Sequence, residues 1–111
     1  ISRAYTWQQS GYIIRPAKDA GEIVMEGRIL HHCVGSDAQG YMKNYNEGRR
    51  FILLLRKDST ADESYITIEI EGTLIRQWYG HNDTKPEEEI IKPLLEQYVS
   101  YLESRKRRKT A

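Results

Sequence analysis

The chain has 111 residues, enough for one hydrophobic core and short for two domains. Charged residues make up 30% and hydrophobic ones 39%, and no apolar run approaches the roughly 20 residues of a membrane helix, so such a span is excluded. Seventeen basic residues nearly balance sixteen acidic ones, for a net charge of +1, so the chain is not a polycation overall. Its single cysteine, Cys33, excludes an internal disulfide and a cysteine-rich zinc site, and makes a reducing, cytoplasmic compartment the expectation. A first residue Ile1 in place of methionine reads as a piece of a longer protein.

In chain order, residues 1 to 16 show no clean period. Tyr12 to Ile14 reads as extended, because Pro16 pushes the residues before it toward β or polyproline geometry. From Ala17 to Arg28, Ala20, Ile23, Val24 and Gly27 recur at helical spacing, with Gly27 the expected stop. A second short helix is predicted after Val34. Ser36 or Asp37 would cap it, Tyr41, Met42 and Tyr45 would share a face, and Gly48 would end it.

Arg50 to Arg56 reads as a strand buried on both faces. Ser64 to Ile70 alternates strictly, with Ile66, Ile68 and Ile70 on one side and Tyr65, Thr67 and Glu69 on the other. A turn at Glu71–Gly72 returns the chain through Thr73 to Tyr79. Past the loop Gly80 to Asp83, Thr84 is the expected cap of a last helix. Pro86 and Glu87 to Glu89 would form its first turn, and Pro93 should bend or break it. The predicted class is α+β, with short N-terminal helices, an antiparallel sheet of at least three strands and a C-terminal helix. Residues 1–104 would form one domain and 105–111 a basic tail.

That tail, Arg105, Lys106, Arg107, Arg108 and Lys109, carries five positive charges and no negative one; without it, twelve basic residues face sixteen acidic ones. Such a run is either a handle for nucleic acid or a solvated helix end.

Three places hold side chains suited to chemistry. In His31-His32-Cys33, ahead of a predicted helix, Cys33 is either a thiolate nucleophile, with His81 as the only distant imidazole, or a small buried core residue. Zinc is not expected there, since no C-x-x-C or H-x-x-x-H spacing exists, and no cofactor motif is present. The second place is the polar side of the hairpin. A three-residue turn would set Thr67 opposite Gln77 and Glu69 opposite Ile75, so that Thr67, Glu69 and Gln77 share a face. A two-residue turn would send Gln77 to the isoleucine side. Arg56 could join this group, with glutamate moving a proton and arginine stabilising a developing anion, as phosphodiester chemistry without metal requires. The alternative is an ordinary solvated sheet face. The third place is the loop with His81, Asn82 and Asp83, whose residues suit turns as well as function.

The run from Glu26-Gly27 to His32-Cys33-Val34-Gly35 resembles the signature of PcfJ-like proteins of conjugative plasmids, phages and related mobile elements. Tyr41, Tyr45, Gly48, Arg56, Thr67, Glu69, Gln77, Gly80 and Asn82 follow in the same family's order. The resemblance covers about residues 12 to 83. It implies a mobile-element setting and marks His32, Cys33, Arg56, Thr67, Glu69, Gln77 and Asn82, but it names no reaction. His81 is not part of the pattern, which weighs against a Cys33–His81 dyad.

The leading expectation is a domain that binds or acts on nucleic acid. His32, Arg56, Glu69 and Gln77 would form a metal-independent nuclease-like site, and Thr67, Asn82 and the basic tail would bind. The alternatives are a binding module without catalysis, in contact with other domains or mobile-element proteins, and a hydrolase or transferase using Cys33.

Overall fold

The computed structural model describes residues 2–31 and 50–110, with side chains over 4–31 and 51–107. The helix predicted over 36–48, with its cap and its tyrosines, lies outside the described residues. The rest is α+β. A four-residue helix α1 (Ser2–Tyr5) leads into β1 (Trp7–Gln9) and β2 (Tyr12–Pro16), and α2 (Ala20–Leu30) follows. Then come β3 (Arg50–Lys57), β4 (Ile66–Glu71), β5 (Leu74–Tyr79) and the long α3 (Glu88–Thr110). The five strands form one antiparallel sheet in chain order, β1 to β5.

The N-terminal hairpin is more than the extended stretch expected there. Ser10 and Gly11 take φ of 56° and 85°, the paired positive values of a type I′ turn, so Trp7 pairs with Ile14 and Gln9 with Tyr12. The Ser-Gly dipeptide was the available signal. With no apolar period beside it, it was not enough to fix a strand pair.

α2 begins later and ends later than its apolar spacing suggests. Asp19 caps it by accepting from the Glu22 amide at 2.8 Å, and Glu22 is itself held by the Arg15 guanidinium at 2.7 and 2.9 Å. The Arg15 fork keeps the Glu22 carboxyl below the usual range. Gly27 is interior to the helix and does not end it. His31 provides the left-handed cap, with φ 55° and its amide bonded to the Gly27 carbonyl.

β3 is buried on both sides as expected: Phe51 to Leu55 are each at most 1% exposed. Its two faces meet different helices, giving three layers. Phe51, Leu53 and Leu55 join Ile66, Ile68, Ile70 and Trp78 against Ile91, Leu94, Leu95, Tyr98 and Leu102 of α3. Ile52 and Leu54 pack on the other side against Ala17 and Ile23 of α2.

The β4–β5 hairpin combines the two registers considered from sequence. Its loop has two residues, since Glu71 pairs with Leu74, and Gly72 carries the positive φ of 64° at the first loop position. The register then slips between Ile70 and Glu69, because Ile70 faces Ile75 whereas Glu69 faces Gln77. Arg76 is thus the extra residue of a bulge. That bulge returns Gln77 to the face of Glu69 and puts Trp78 on the isoleucine side.

Thr84 does not cap the last helix. It closes a 3-10 turn over His81–Asp83, its hydroxyl donating to the His81 carbonyl at 2.6 Å. Glu87, with φ 49°, makes a further turn, and α3 starts at Glu88. Its backbone runs through Pro93 without a break, so of the two expectations for that proline the helix is not split. Gly80 is required for a close approach, since a Cβ there would meet Pro86 at 2.8 Å and the Tyr65 carbonyl at 3.0 Å. Among the described residues, no helix is long and apolar enough to cross a membrane.

Candidate functional site

The polar side of the hairpin is not a solvated face. Alternation along β3 and β4 places Arg56, Thr67 and Glu69 on the side that α2 covers, and they are 5%, 0% and 5% exposed. α2 answers them with Glu26, itself 1% exposed. Two Arg56 nitrogens donate to the two Glu26 oxygens at 3.0 and 2.8 Å in a fork-to-fork pair. The Ser64 hydroxyl donates to the same carboxylate at 2.8 Å and the Thr67 hydroxyl at 3.2 Å. Arg56 Nε has no hydrogen-bond partner among the described residues.

Two buried charges gain from each other only when their remaining bonding capacity is filled, and the two hydroxyls largely do that for Glu26. The arrangement also neutralises Arg56, so its charge is balanced before any substrate arrives.

One step along β4 lies a second, shallower group. Glu69 accepts from the amide of Gln77, directly across the hairpin, and from the Tyr79 hydroxyl at 2.7 Å. Gln77 itself is exposed. A carboxylate held by an amide and a phenol is fixed in orientation and suited to accepting a further hydrogen bond or a proton.

The expected site residues therefore divide. Arg56 and Thr67 meet at Glu26, while Glu69 and Gln77 meet beside Tyr79, on the same face of the sheet. Asn82 is exposed in the 3-10 turn, with φ 53°, and makes no hydrogen bond to either group among the described residues. His32 and Cys33 lie outside the described residues. The histidine contact that is described joins His31 and His81, whose exposed rings stand edge to face with centroids 5.1 Å apart. Among the described residues no cluster of three or more His, Cys, Asp or Glu side chains suits a metal ion.

Glu26, Ser64 and Tyr79 belong to these groups and are absent from the sequence-derived candidates. Glu26 was detectable. It stands three residues after Ile23 and four before Leu30, so a carboxylate falls in the buried stripe of α2 and needs a partner. Ser64 and Tyr79 carry no comparable signal, since hydroxyls at strand ends are common.

The basic run continues the last helix. The α3 backbone is helical through Thr110, and Arg105 lies against Tyr101, donating to its hydroxyl at 3.0 Å.

A model of the PcfJ-like protein family matches residues 3–94, which run from within α1 through β5 and include both polar groups and the start of α3. The chain is also similar to a protein of Listeria innocua described as Uncharacterized protein Lin1253/Lin1744, at 30% identity over 73 residues. That stretch is 66% of this chain and 16% of the relative, so the chain spans a small part of the longer protein it matches. No solved structure matches it. With the family model covering most of the chain, from the N-terminal hairpin to the helix that closes the core, this protein belongs to the PcfJ-like family.

Proposed function

We propose that this PcfJ-like domain is a nucleic-acid-binding module of a mobile-element protein, which engages the phosphate backbone through the cationic end of α3. The observation that carries the reading is the helical course of residues 105–110. A helical backbone sets these cationic residues at regular intervals along one axis toward a polyanion, which an irregular tail does not. The neutralisation of Arg56 by Glu26 favours binding over cutting, because cleavage without metal needs a cation free to stabilise the developing anion.

The test replaces Arg105, Lys106, Arg107, Arg108 and Lys109 with glutamine, which keeps helix propensity and removes charge. Fluorescence anisotropy with labelled DNA and RNA across a salt series should show the dependence of log affinity on log salt flattening by roughly three to five units. Equal slopes for the native and neutral chains would assign the run to solvation alone.

A second reading rests on Glu69. Its fixing by Gln77 and Tyr79 suits a proton-moving group, with nuclease-like chemistry at the exposed margin of that face. Glu69→Gln should then abolish metal-independent cleavage while the melting curve stays close to native. Cleavage unchanged in Glu69→Gln, or absent from the native chain, removes this reading and leaves binding alone.

A further inference from the structure

β5 is the last strand of the sheet, and a groove of about 530 Å³ runs between it and α3. Its lining carries three cations, Arg76, Lys85 and Lys92, against one acid, Glu96. The apolar part of its lining is Leu74, Ile75, Trp78, Leu95 and Val99. Leu74 is 56% exposed, the most of any large hydrophobic side chain among the described residues. Thr73 also lines a second groove of about 360 Å³, together with Tyr5, Leu102, Arg105 and Lys106. The two grooves together flank α3 from Lys92 to the start of the basic run, about 21 Å of helix at 1.5 Å per residue.

We infer that these two neighbouring grooves seat a single strand of nucleic acid, its phosphates on the cationic side chains and its bases on the apolar ones. This rests on the nucleic-acid reading above and gives it a place and a substrate class. Lys85 is already positioned for the task. Its ammonium lies 4.2 Å from the centre of the Trp78 ring and donates to the Trp78 carbonyl at 2.7 Å, which leaves two of its three donors for a phosphate. Arg76 is nearly as available, for its ion pair with Glu71 is 3.9 Å long and both side chains are about half exposed.

The competing occupant of a sheet edge is an extended peptide that adds a strand. β5 is poorly suited to that. The Lys85 ammonium occupies one of its carbonyls, and the bulge at Arg76 interrupts the ladder a new strand would follow. Duplex is disfavoured as well. A groove of this volume takes a base or a small ligand, whereas a duplex receives a protein element into its own groove.

The experiment uses the whole chain and fluorescein-labelled oligothymidylate on the order of six to twelve nucleotides long, within the span of single-strand sites. The variants are the charge reversal Arg76→Glu with Lys92→Glu and, separately, Leu74→Asp, each first shown to melt as the native chain does. The charge reversal should weaken binding by about tenfold and lower the salt slope by about two units. Leu74→Asp should weaken binding too, and unlabelled duplex should compete poorly.

If the native chain binds neither single strand nor duplex, the nucleic-acid reading itself falls. If it binds and only the glutamine replacement of residues 105–109 weakens it, that reading stands and the groove is overturned. The groove assignment is likewise overturned if duplex competes as well as single strand. It also falls if a polyglutamate peptide binds, is lost in the same variants and displaces the oligonucleotide, since the groove would then belong to a protein partner.

Discussion

Glu26→Ala is expected to cost about 3–5 kcal/mol of folding stability, the range for removing one partner of a buried ion pair. Arg56 is 5% exposed, and without Glu26 it would keep a buried positive charge whose fork has lost its acceptor. The Ser64 and Thr67 hydroxyls would lose theirs as well. A domain of this size has a total stability of roughly 5–15 kcal/mol, so the variant should be partly unfolded at physiological temperature. Glu26→Gln keeps the shape and two acceptor sites and should cost less. Glu26→Leu combined with Arg56→Met removes both charges and should recover much of the loss. Urea denaturation of the four chains reads the effect directly. A loss below about 1 kcal/mol in Glu26→Ala, the range of ordinary surface changes, would mean that the pair does not hold α2 on the sheet. Arg56→Ala should likewise lose stability along with any activity, because it leaves the Glu26 carboxylate buried without its cation.

Tyr98→Ala is expected to cost a further large amount, about 3–5 kcal/mol, as aromatic truncations in cores do. The ring is fully buried where α3 crosses the sheet, 5.3 Å from the Trp7 ring, and its hydroxyl donates to the Tyr5 carbonyl at 2.6 Å. Tyr98→Phe keeps the ring and loses only that bond, for about 1 kcal/mol. The phenol also gives a pH signature. Burial, with smaller contributions from Tyr5 and Tyr101, holds its pKa well above the ordinary value near 10. A folded-state pKa above the unfolded one makes the contribution whole below about pH 10. It declines as the pH rises further, because the unfolded chain releases the proton first. Native protein should lose stability in that alkaline range more steeply than Tyr98→Phe, by up to about 1.4 kcal/mol per pH unit. Parallel slopes for the two chains would contradict this assignment.

The parts of the fold legible in the sequence are those where one period governs the pattern. Ile66, Ile68 and Ile70 announce a strand with one buried face, and Phe51 to Leu55 announce a strand buried on both. Ile90, Ile91, Leu94, Leu95, Tyr98 and Leu102 announce the helix that meets them, although Ile90 falls at the edge of that stripe and is exposed. What stayed hidden is set by single residues acting through geometry. Ser10 accepting a positive φ makes the first hairpin, and one extra residue, Arg76, decides which face Gln77 occupies. The polar group was legible in part, since Arg56, Thr67, Glu69 and Gln77 do share a face. Its organisation was not, because pairing Arg56 with Glu26 requires knowing that α2 lies over that side of the sheet. Reading the carboxylate in the apolar stripe of α2 as a demand for a buried partner would have come closest.

On the ribosome, the isoleucine face of β4 is finished before the helix that covers it exists. At about 5–20 residues per second, the stretch from Glu88 to Leu102 takes on the order of one to three seconds to make. Until α3 has emerged as well, the isoleucine side of the sheet lacks the helix that covers it. The N-terminal segment cannot settle either, because Tyr5 and Trp7 take their places against Tyr98 and Tyr101. The first and last parts of the domain thus become ordered together. A released chain that ends within α3 would present a wet isoleucine surface to its neighbours, and the hazard in producing this domain lies in its final helix.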